Sequence, residues 1–345
     1  MINKKIRDYG INIGNFTTGS NNSITDVKGV KVGHTTLDDG VIKTGVTAIL
    51  PHEGNIFKDK LIAACHVING FGKSTGLIQI EELGTIETPI ILTNTLSVGI
   101  AHETLVRYML AQNDDIGSTT GTVNPVICEC NDGVINDIRG LHIKQEHIYE
   151  AIEKCNIEFA EGNIGAGTGM VCYGLKGGIG SSSRIVELEN TQYTIGVLVL
   201  SNFGSLEDFV LNGDHIGPKL VEKTKEIDTT EDKGSIIVIL ATDIPLSSRQ
   251  LKRIIKRVYP GISRTGSYTG NGSGEVVIGF STANIIKHYE EKDVIDIRVI
   301  NENKINKIFK ATVEATEEAI LNSLICSTSS IDRDGKQVYS LKDLI

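Results

Sequence analysis

The sequence predicts a layered α+β domain in which β-sheets stack and helices cover them. Three observations carry this. Strand-like runs come first, then helical spacing, then strands again, without strict strand–helix alternation. Glycine is abundant, 37 residues against 6 prolines, as in a sheet-rich chain full of tight turns. No linker or composition change divides the 345 residues, so one domain is expected.

The first ten residues are basic and read as an arm, and 21–26 as a turn. Residues 29–35 alternate as a strand, 41–50 give a second closed by Pro51, and 61–68 a third ending at the turn signal Asn69-Gly70. With no helix between them, these strands are expected to pair antiparallel. Leu77, Ile80 and Leu83 place a helix over 74–83, followed by a short buried strand at 89–92. Residues 97–110 read as a helix with Ser97 at its N-cap, and 125–130 as a strand. Ile148, Ala151, Ile152 and Cys155 share one face of a helix over 146–157. Residues 162–183 are glycine-rich, and 193–200 form a buried strand that stops at Ser201-Asn202-Phe203-Gly204. The polar stretch 222–233 is the sole candidate boundary. A strand apolar on both faces follows from 235. Then come a basic helix at 247–258, a Gly/Ser/Thr loop at 261–274, a strand at 275–280 and a long helix at 307–325. That helix is expected to turn Phe309, Val313, Thr316, Ile320 and Leu324 inward.

Composition narrows the function. The net charge is −9, Trp is absent and aromatics make up 5%, which disfavours nucleic acid as a partner. No window approaches roughly 18 uninterrupted apolar residues, so no membrane span is expected. The N-terminus lacks a signal-peptide run, and a cytoplasmic location is the default expectation. Cys65, Cys128, Cys130, Cys155, Cys172 and Cys326 form no CxxC pair and read as reduced, buried thiols. The histidines are scattered without an HExxH, so neither a metal nor a cofactor is expected; His34 and His66 read as hydrogen-bonded strand residues.

Two loops imitate phosphate sites. Gly70-Phe71-Gly72-Lys73-Ser74-Thr75 ends like a P-loop, but Val67 stands where its first glycine belongs. From Gly165 a GxGxxG register fails at Met170. That middle stretch is either a wall of free backbone N–H groups or a tight connection. A GxSxG elbow is absent.

The stretch with chemistry in it is Gly234-Ser235, at the head of the apolar strand. One reading is a Gly-Ser turn. The other is self-cleavage: Ser235 Oγ attacks the Gly234 carbonyl, and water hydrolyses the ester. The freed α-amine, with an ordinary pKa of about 7.7–8.0, then serves as a base on the nucleophile's own residue. Ser273 and Glu275 are two apart at a strand start and face the same way in extended chain. They either serve one site or form a turn with a solvent-facing acid. Asn202 is an oxyanion donor or a turn residue.

These segments resemble the D-aminopeptidase/esterase (DmpA) family, which includes the β-peptidyl aminopeptidases, nearly end to end. The likeness is carried by Ile24-Thr25-Asp26-Val27-Lys28-Gly29-Val30-Lys31-Val32-Gly33-His34, by Glu87-Thr88-Pro89-Ile90-Ile91-Leu92-Thr93-Asn94-Thr95 and by the glycine-rich middle from Glu161 to Arg184. Arg264-Thr265-Gly266-Ser267 and Asn271-Gly272-Ser273-Gly274-Glu275 complete it. The resemblance implies an Ntn-hydrolase-like, four-layer α/β/β/α sandwich with two stacked β-sheets. It implies autocleavage into 1–234 and 235–345, with Ser235 as nucleophile, Ser273 and Glu275 as its activating pair and Asn202 as oxyanion donor. It further implies release of N-terminal residues from short peptides, amides or esters, and a homo-oligomer, a tetramer of cleaved pairs. Glu129 is the acid placed to meet the substrate's ammonium. Two alternatives stay open: an acyltransferase of related fold, and an uncleaved, non-enzymatic binding protein using the glycine-rich loops.

Overall fold

The computed structural model describes residues 4–224 and 234–345. Residues 225–233, most of the polar stretch read as a boundary, lie outside the described residues, as do the first three of the arm. In chain order come β1 (Lys31–Asp39), β2 (Ile42–Leu50), β3 (Asp59–Gly70), α1 (Leu77–Leu83), β4 (Thr85–Ile86), β5 (Ile90–Asn94), α2 (Val98–Leu110), β6 (Val126–Cys130) and α3 (Gln145–Glu153). The glycine-rich middle holds the hairpin β7 (Val171–Cys172) and β8 (Leu175–Lys176), then β9 (Gly178–Leu188) and β10 (Thr191–Asn202). A small hairpin, β11 (Val210–Leu211) and β12 (Asp214–His215), leads to α4 (Gly217–Thr224). After the gap follow β13 (Ser235–Thr242), α5 (Ser248–Ile255), α6 (Val258–Ser263), β14 (Gly274–Lys287), α7 (Asn306–Ile325) and the hairpin β15 (Ser330–Ile331) and β16 (Gln337–Val338).

Two sheets stack. One has the order β1-β2-β5-β6, the other β4-β3-β14-β13-β10-β9. Helices α2 and α3 cover the first; α5 and α7 cover the second. Three apolar cores fill the three gaps between these four layers. Val46, Leu105 and Ile148 belong to the first, Leu92, Leu200 and Ile239 to the second between the sheets, and Val199, Val238 and Ile320 to the third. Strand alternation explains why β13 is apolar throughout. Ile236, Val238 and Leu240 meet the helices, while Ile237, Ile239 and Ala241 meet the other sheet. The four-layer α/β/β/α sandwich is the architecture expected.

Several local expectations change. The third strand does not extend the first hairpin. Leu61, Ala63 and Cys65 enter the core between the sheets and Ile62 and Ala64 the core under the helices, so β3 is buried on both faces and sits inside the six-stranded sheet. It extends through Asn69 to end at Gly70, and the chain bends just beyond, where the Gly72 N–H donates to the Gly70 oxygen at 2.8 Å. The basic arm is docked rather than free. Ile6 is fully buried, Lys5 pairs with Glu161 at 2.6 Å and Arg7 with Glu318 at 2.7 Å. The loop read over 261–274 begins inside α6, and β14 continues past Phe280 to Lys287. Ser97 makes no capping bond; Asn94 Oδ1 accepts the Ser97 N–H instead. In α7, Phe309 and Val313 lie at the margin, with the Arg257 guanidinium stacked 3.9 Å from the Phe309 ring. The face against β9 carries Ala311, Ala315 and Ala319, and a Cβ on Gly180 would stand 2.0 Å from the Ala319 oxygen. Spacing picks out bulky residues, whereas close helix–sheet approach selects small ones.

Candidate active site

The order of the second sheet builds the site. Strands β13 and β14 lie between β10 and β3, so the segment after residue 234 is inserted between strands that precede it. Asn202 ends β10 and Ser235 begins β13, and the two are antiparallel partners. Ser235 is also the parallel partner of Gly274. Three strand ends thus converge on one point.

Gly234 is fixed by sterics. A Cβ there would sit 1.9 Å from the Asn202 backbone oxygen, so the strand crossing admits only glycine. Its carbonyl oxygen accepts the Gly274 N–H at 2.9 Å. The carbonyl that a self-cleaving serine would attack therefore already has a hydrogen-bond donor on it. Gly274 is small for a second reason: a Cβ there would stand 3.2 Å from Ser235 Oγ and 2.6 Å from the Phe71 oxygen.

Ser235 is 6% exposed, and among the described residues its Oγ has no hydrogen-bond partner. It opens on a cavity of about 610 Å³ that Asn202, Glu129, Thr95 and Phe71 also line. Ser273 and Glu275 lie beside it, both fully buried, with the Ser273 hydroxyl donating to Glu275 Oε1. The solvent-facing alternative for Glu275 is thereby excluded. Glu275 is the register partner of Ile236, one residue beyond the serine, so the pair approaches along the backbone rather than at Oγ.

The Asn202 amide is held from two sides. Its Oδ1 accepts the Val171 N–H at 2.9 Å, and its Nδ2 donates to the Asn131 oxygen at 3.0 Å. Those partners fix which atom is oxygen and which nitrogen, and they leave one N–H for the cavity that Asn202 lines. Glu129 is buried between Cys128 and Cys130, whose side chains enter the core between the sheets. Alternation sends Glu129 the other way. There the Lys73 N–H donates to its Oε1 at 2.7 Å, and the Thr95 hydroxyl donates to its Oε2. Burial pushes the Cys128 thiol up to about 12 and Cys130 above its usual value, so both are neutral. None of the six cysteines forms a disulfide among the described residues.

Sequence reasoning missed part of the wall. Phe71 and Lys73 come from the stretch that imitates a P-loop, and Arg139 and Arg333 from turns without pattern. The glycine-rich middle is the tight connection of the two readings: the N–H groups of Gly165, Ala166 and Gly167 bond to Thr36, Thr47 and Ile164. His34 is a strand residue between Thr47 Oγ1 and the Ala160 oxygen, as expected, and burial pulls its pKa down to about 4. Among the described residues no three His, Cys, Asp or Glu side chains gather as metal ligands, and no helix is long and apolar enough to cross a membrane.

Known proteins share this fold. The model of peptidase family S58 matches residues 22–338. A β-peptidyl aminopeptidase, BapA, from Sphingosinicella microcystinivorans is 37% identical over 98% of this chain and 89% of its own. The crystal structure of the PH0078 protein from Pyrococcus horikoshii OT3 superposes with a TM-score of 0.93 at 54% identity, covering 98% of this chain and 96% of that one. The L-aminopeptidase D-Ala-esterase/amidase of Ochrobactrum anthropi, described as a prototype serine aminopeptidase and a variant of the Ntn-hydrolase fold, superposes with a TM-score of 0.90 at 34% identity. That match covers 98% and 95% of the two chains.

Proposed function

The chain belongs to peptidase family S58, and on that premise we propose that it is an aminopeptidase whose nucleophile, Ser235, is exposed when the chain cuts itself at Gly234–Ser235. Peptides and amides are its substrates. The observation that carries the reading is the junction of Gly234, Ser235 and Asn202. There a glycine enforced by sterics presents a hydrogen-bonded carbonyl to a serine hydroxyl without a partner among the described residues, at the edge of a cavity.

In the cleavage step Ser235 Oγ attacks the Gly234 carbon. The Gly274 N–H on the carbonyl oxygen supports the charge that develops there. The C–N bond breaks as the serine nitrogen takes the proton that Oγ gives up, and water hydrolyses the ester to leave a carboxylate on Gly234 and a free amine on Ser235. The Gly274 N–H is released once the new Gly234 carboxylate moves out of its place. In turnover the Ser235 amine takes the hydroxyl proton as Oγ attacks the substrate carbonyl. Asn202 Nδ2 and the released Gly274 N–H hold the oxyanion. Ser273 and Glu275, along the backbone, position the amine and balance its charge. The leaving amine takes the proton, and water resolves the acyl-enzyme.

The cavity supports a short substrate with a free N-terminus. Glu129 receives the ammonium. Lys73, Arg139 and Arg333 line the same cavity and make no ion pair among the described residues, so a leaving group that ends in a carboxylate is favoured. We further propose a homo-oligomer of cleaved pairs, which light scattering of the cut protein would count, and a reducing, cytoplasmic setting, in keeping with thiols that form no disulfide among the described residues.

Ser235→Ala is expected to give one uncut chain under denaturing mass analysis, where the wild type gives fragments 1–234 and 235–345. Aminopeptidase activity should fall by about a million-fold, the scale of losing a serine nucleophile. A cut or active Ser235→Ala protein would refute the assignment.

A further inference from the structure

Behind the site lies a buried cation that this mechanism does not use. Lys176 is fully buried, and no carboxylate bonds to it among the described residues. Its Nζ donates to three backbone oxygens: Met170 at 2.7 Å, Gly177 at 2.8 Å and Gly167 at 3.1 Å. Three acceptors call for three N–H donors, which only the ammonium has. Burial pulls its pKa down to about 7, while the charges of Cys172, Asp132 and Asp38 act to raise it.

The path from this ammonium to the site is one peptide group long. Val171 and Lys176 are register partners across the β7–β8 hairpin. The peptide between Met170 and Val171 accepts the Lys176 N–H at its oxygen and donates its own N–H to Asn202 Oδ1 at 2.9 Å. A cation on the carbonyl draws electron density from that amide and makes its N–H a stronger donor. The effect passes to the Asn202 amide, whose remaining N–H becomes a stronger donor in turn. In a low-dielectric interior such chains strengthen each bond by about 10–30%.

Resting on the assignment of Asn202 as oxyanion donor, we propose that Lys176 is a positioning residue that orients and polarises Asn202 through the Met170–Val171 peptide. A brace for the glycine-rich turn exists without it. The Met170 oxygen also accepts the Gly177 N–H at 3.0 Å, and the Gly177 oxygen also accepts the Ser327 hydroxyl at 2.9 Å. Removing the ammonium therefore leaves these two carbonyls bonded, and the loop keeps its course.

The test is a double-mutant cycle on kcat and KM with a small aminoacyl amide, each protein normalised to its content of cut chain. Lys176→Met is expected to lower kcat about tenfold with KM unchanged, less than the 10²–10³-fold typical of deleting an oxyanion donor outright. Lys176→Gln, which keeps a neutral donor, should fall between. In an Asn202→Ala background the Lys176→Met change should cost less than about twofold, because coupled residues are not additive. An equal loss in both backgrounds, or none in either, makes the lysine structural and overturns the proposal. So does a chain that stays uncut, or fails to fold in both lysine variants, since the Gly234 carbonyl bonds to Gly274 and not to Asn202. Full kcat in Asn202→Ala alone would instead sink the oxyanion assignment, and the relay with it.

Discussion

The six-stranded sheet carries two buried polar clusters, one at the ends of β10, β13 and β14, the other where β9 meets α7. In the second, Arg184 is fully buried and donates to the Ile13 oxygen at 2.9 Å and to Glu318 Oε2 at 2.7 Å. Glu318 accepts further bonds from Arg7 at 2.7 Å and Asn22 at 2.5 Å. Burial alone would raise the Glu318 carboxyl; bonds from Arg7 and the charge of Arg184 outweigh it and hold the group below the usual carboxylate range. The first cluster is as deeply buried but differently finished. Ser235 Oγ has no partner among the described residues, the Asn202 amide has an N–H left over, and a cavity opens beside both. Burial of polar groups does not by itself mark a site. The mark is an unspent donor or nucleophile at the edge of a cavity; Arg184 Nε also lacks a hydrogen bond among the described residues, but it faces the Glu314 carboxylate at 3.5 Å inside the packed cluster.

The sharpest way to break this comparison is to unpair the closed cluster. Glu318→Gln leaves Arg7 and Arg184 without their shared carboxylate. Removing one member of a buried ion pair costs about 3–5 kcal/mol. Denaturant unfolding should show a loss of that order, while kcat per cut chain stays unchanged, because the cluster touches no cavity residue. Stability near that of the wild type would show that the second cluster is no more closed than the first.

How far the sequence reveals each cluster follows from how local its contacts are. Ser273 and Glu275 are two apart on one strand, so their shared direction is readable, and their hydrogen bond is present. Gly234-Ser235 at the head of an apolar run is readable as a dipeptide. The reason for the glycine, the Asn202 oxygen 1.9 Å from a would-be Cβ, depends on a partner strand and is not. The layered architecture is legible because β13 is apolar on both faces. Sequence order suggests pairing β3 with β2, yet β3 pairs antiparallel with β4 and β14 in the other sheet, because neighbours in sequence need not be neighbours in space. Arg184 and Glu318 lie on separate elements, β9 and α7, with no spacing rule to link them. Lys73, Arg139 and Arg333 reach the cavity from loops, where periodicity says nothing.

A smaller effect sharpens the open cluster. Glu275→Gln keeps an acceptor for the Ser273 hydroxyl but removes the charge proposed to balance the Ser235 amine. Turnover should fall by about 10²-fold, at the low end for a group acting in acid–base chemistry. The unfolding midpoint should move less than in Glu318→Gln, since the amide oxygen still accepts the Ser273 hydroxyl. A full rate would remove Glu275 from the mechanism. A large loss of stability would place it with the closed cluster.

The smallest effect separates the clusters by pH. The folded Glu318 carboxyl titrates below its ordinary value of 4.5, so above that pH the unfolded chain gains no proton that the fold lacks, and the stabilisation is fully present. As pH falls below 4.5 the unfolded carboxyl protonates first, and the contribution drains away down to the folded pKa. Glu318→Gln has no such proton, so the stability gap between it and the wild type should be constant at neutral pH and close below 4.5. The proposed Ser235 amine would work in another window. With an ordinary pKa of about 7.7–8.0 it becomes protonated, and useless as a base, as pH drops through neutrality. Activity should therefore fall across a range in which the gap does not change. If the two curves moved together, the loss of turnover would be a loss of fold, and the unspent serine would not be what distinguishes the first cluster from the second.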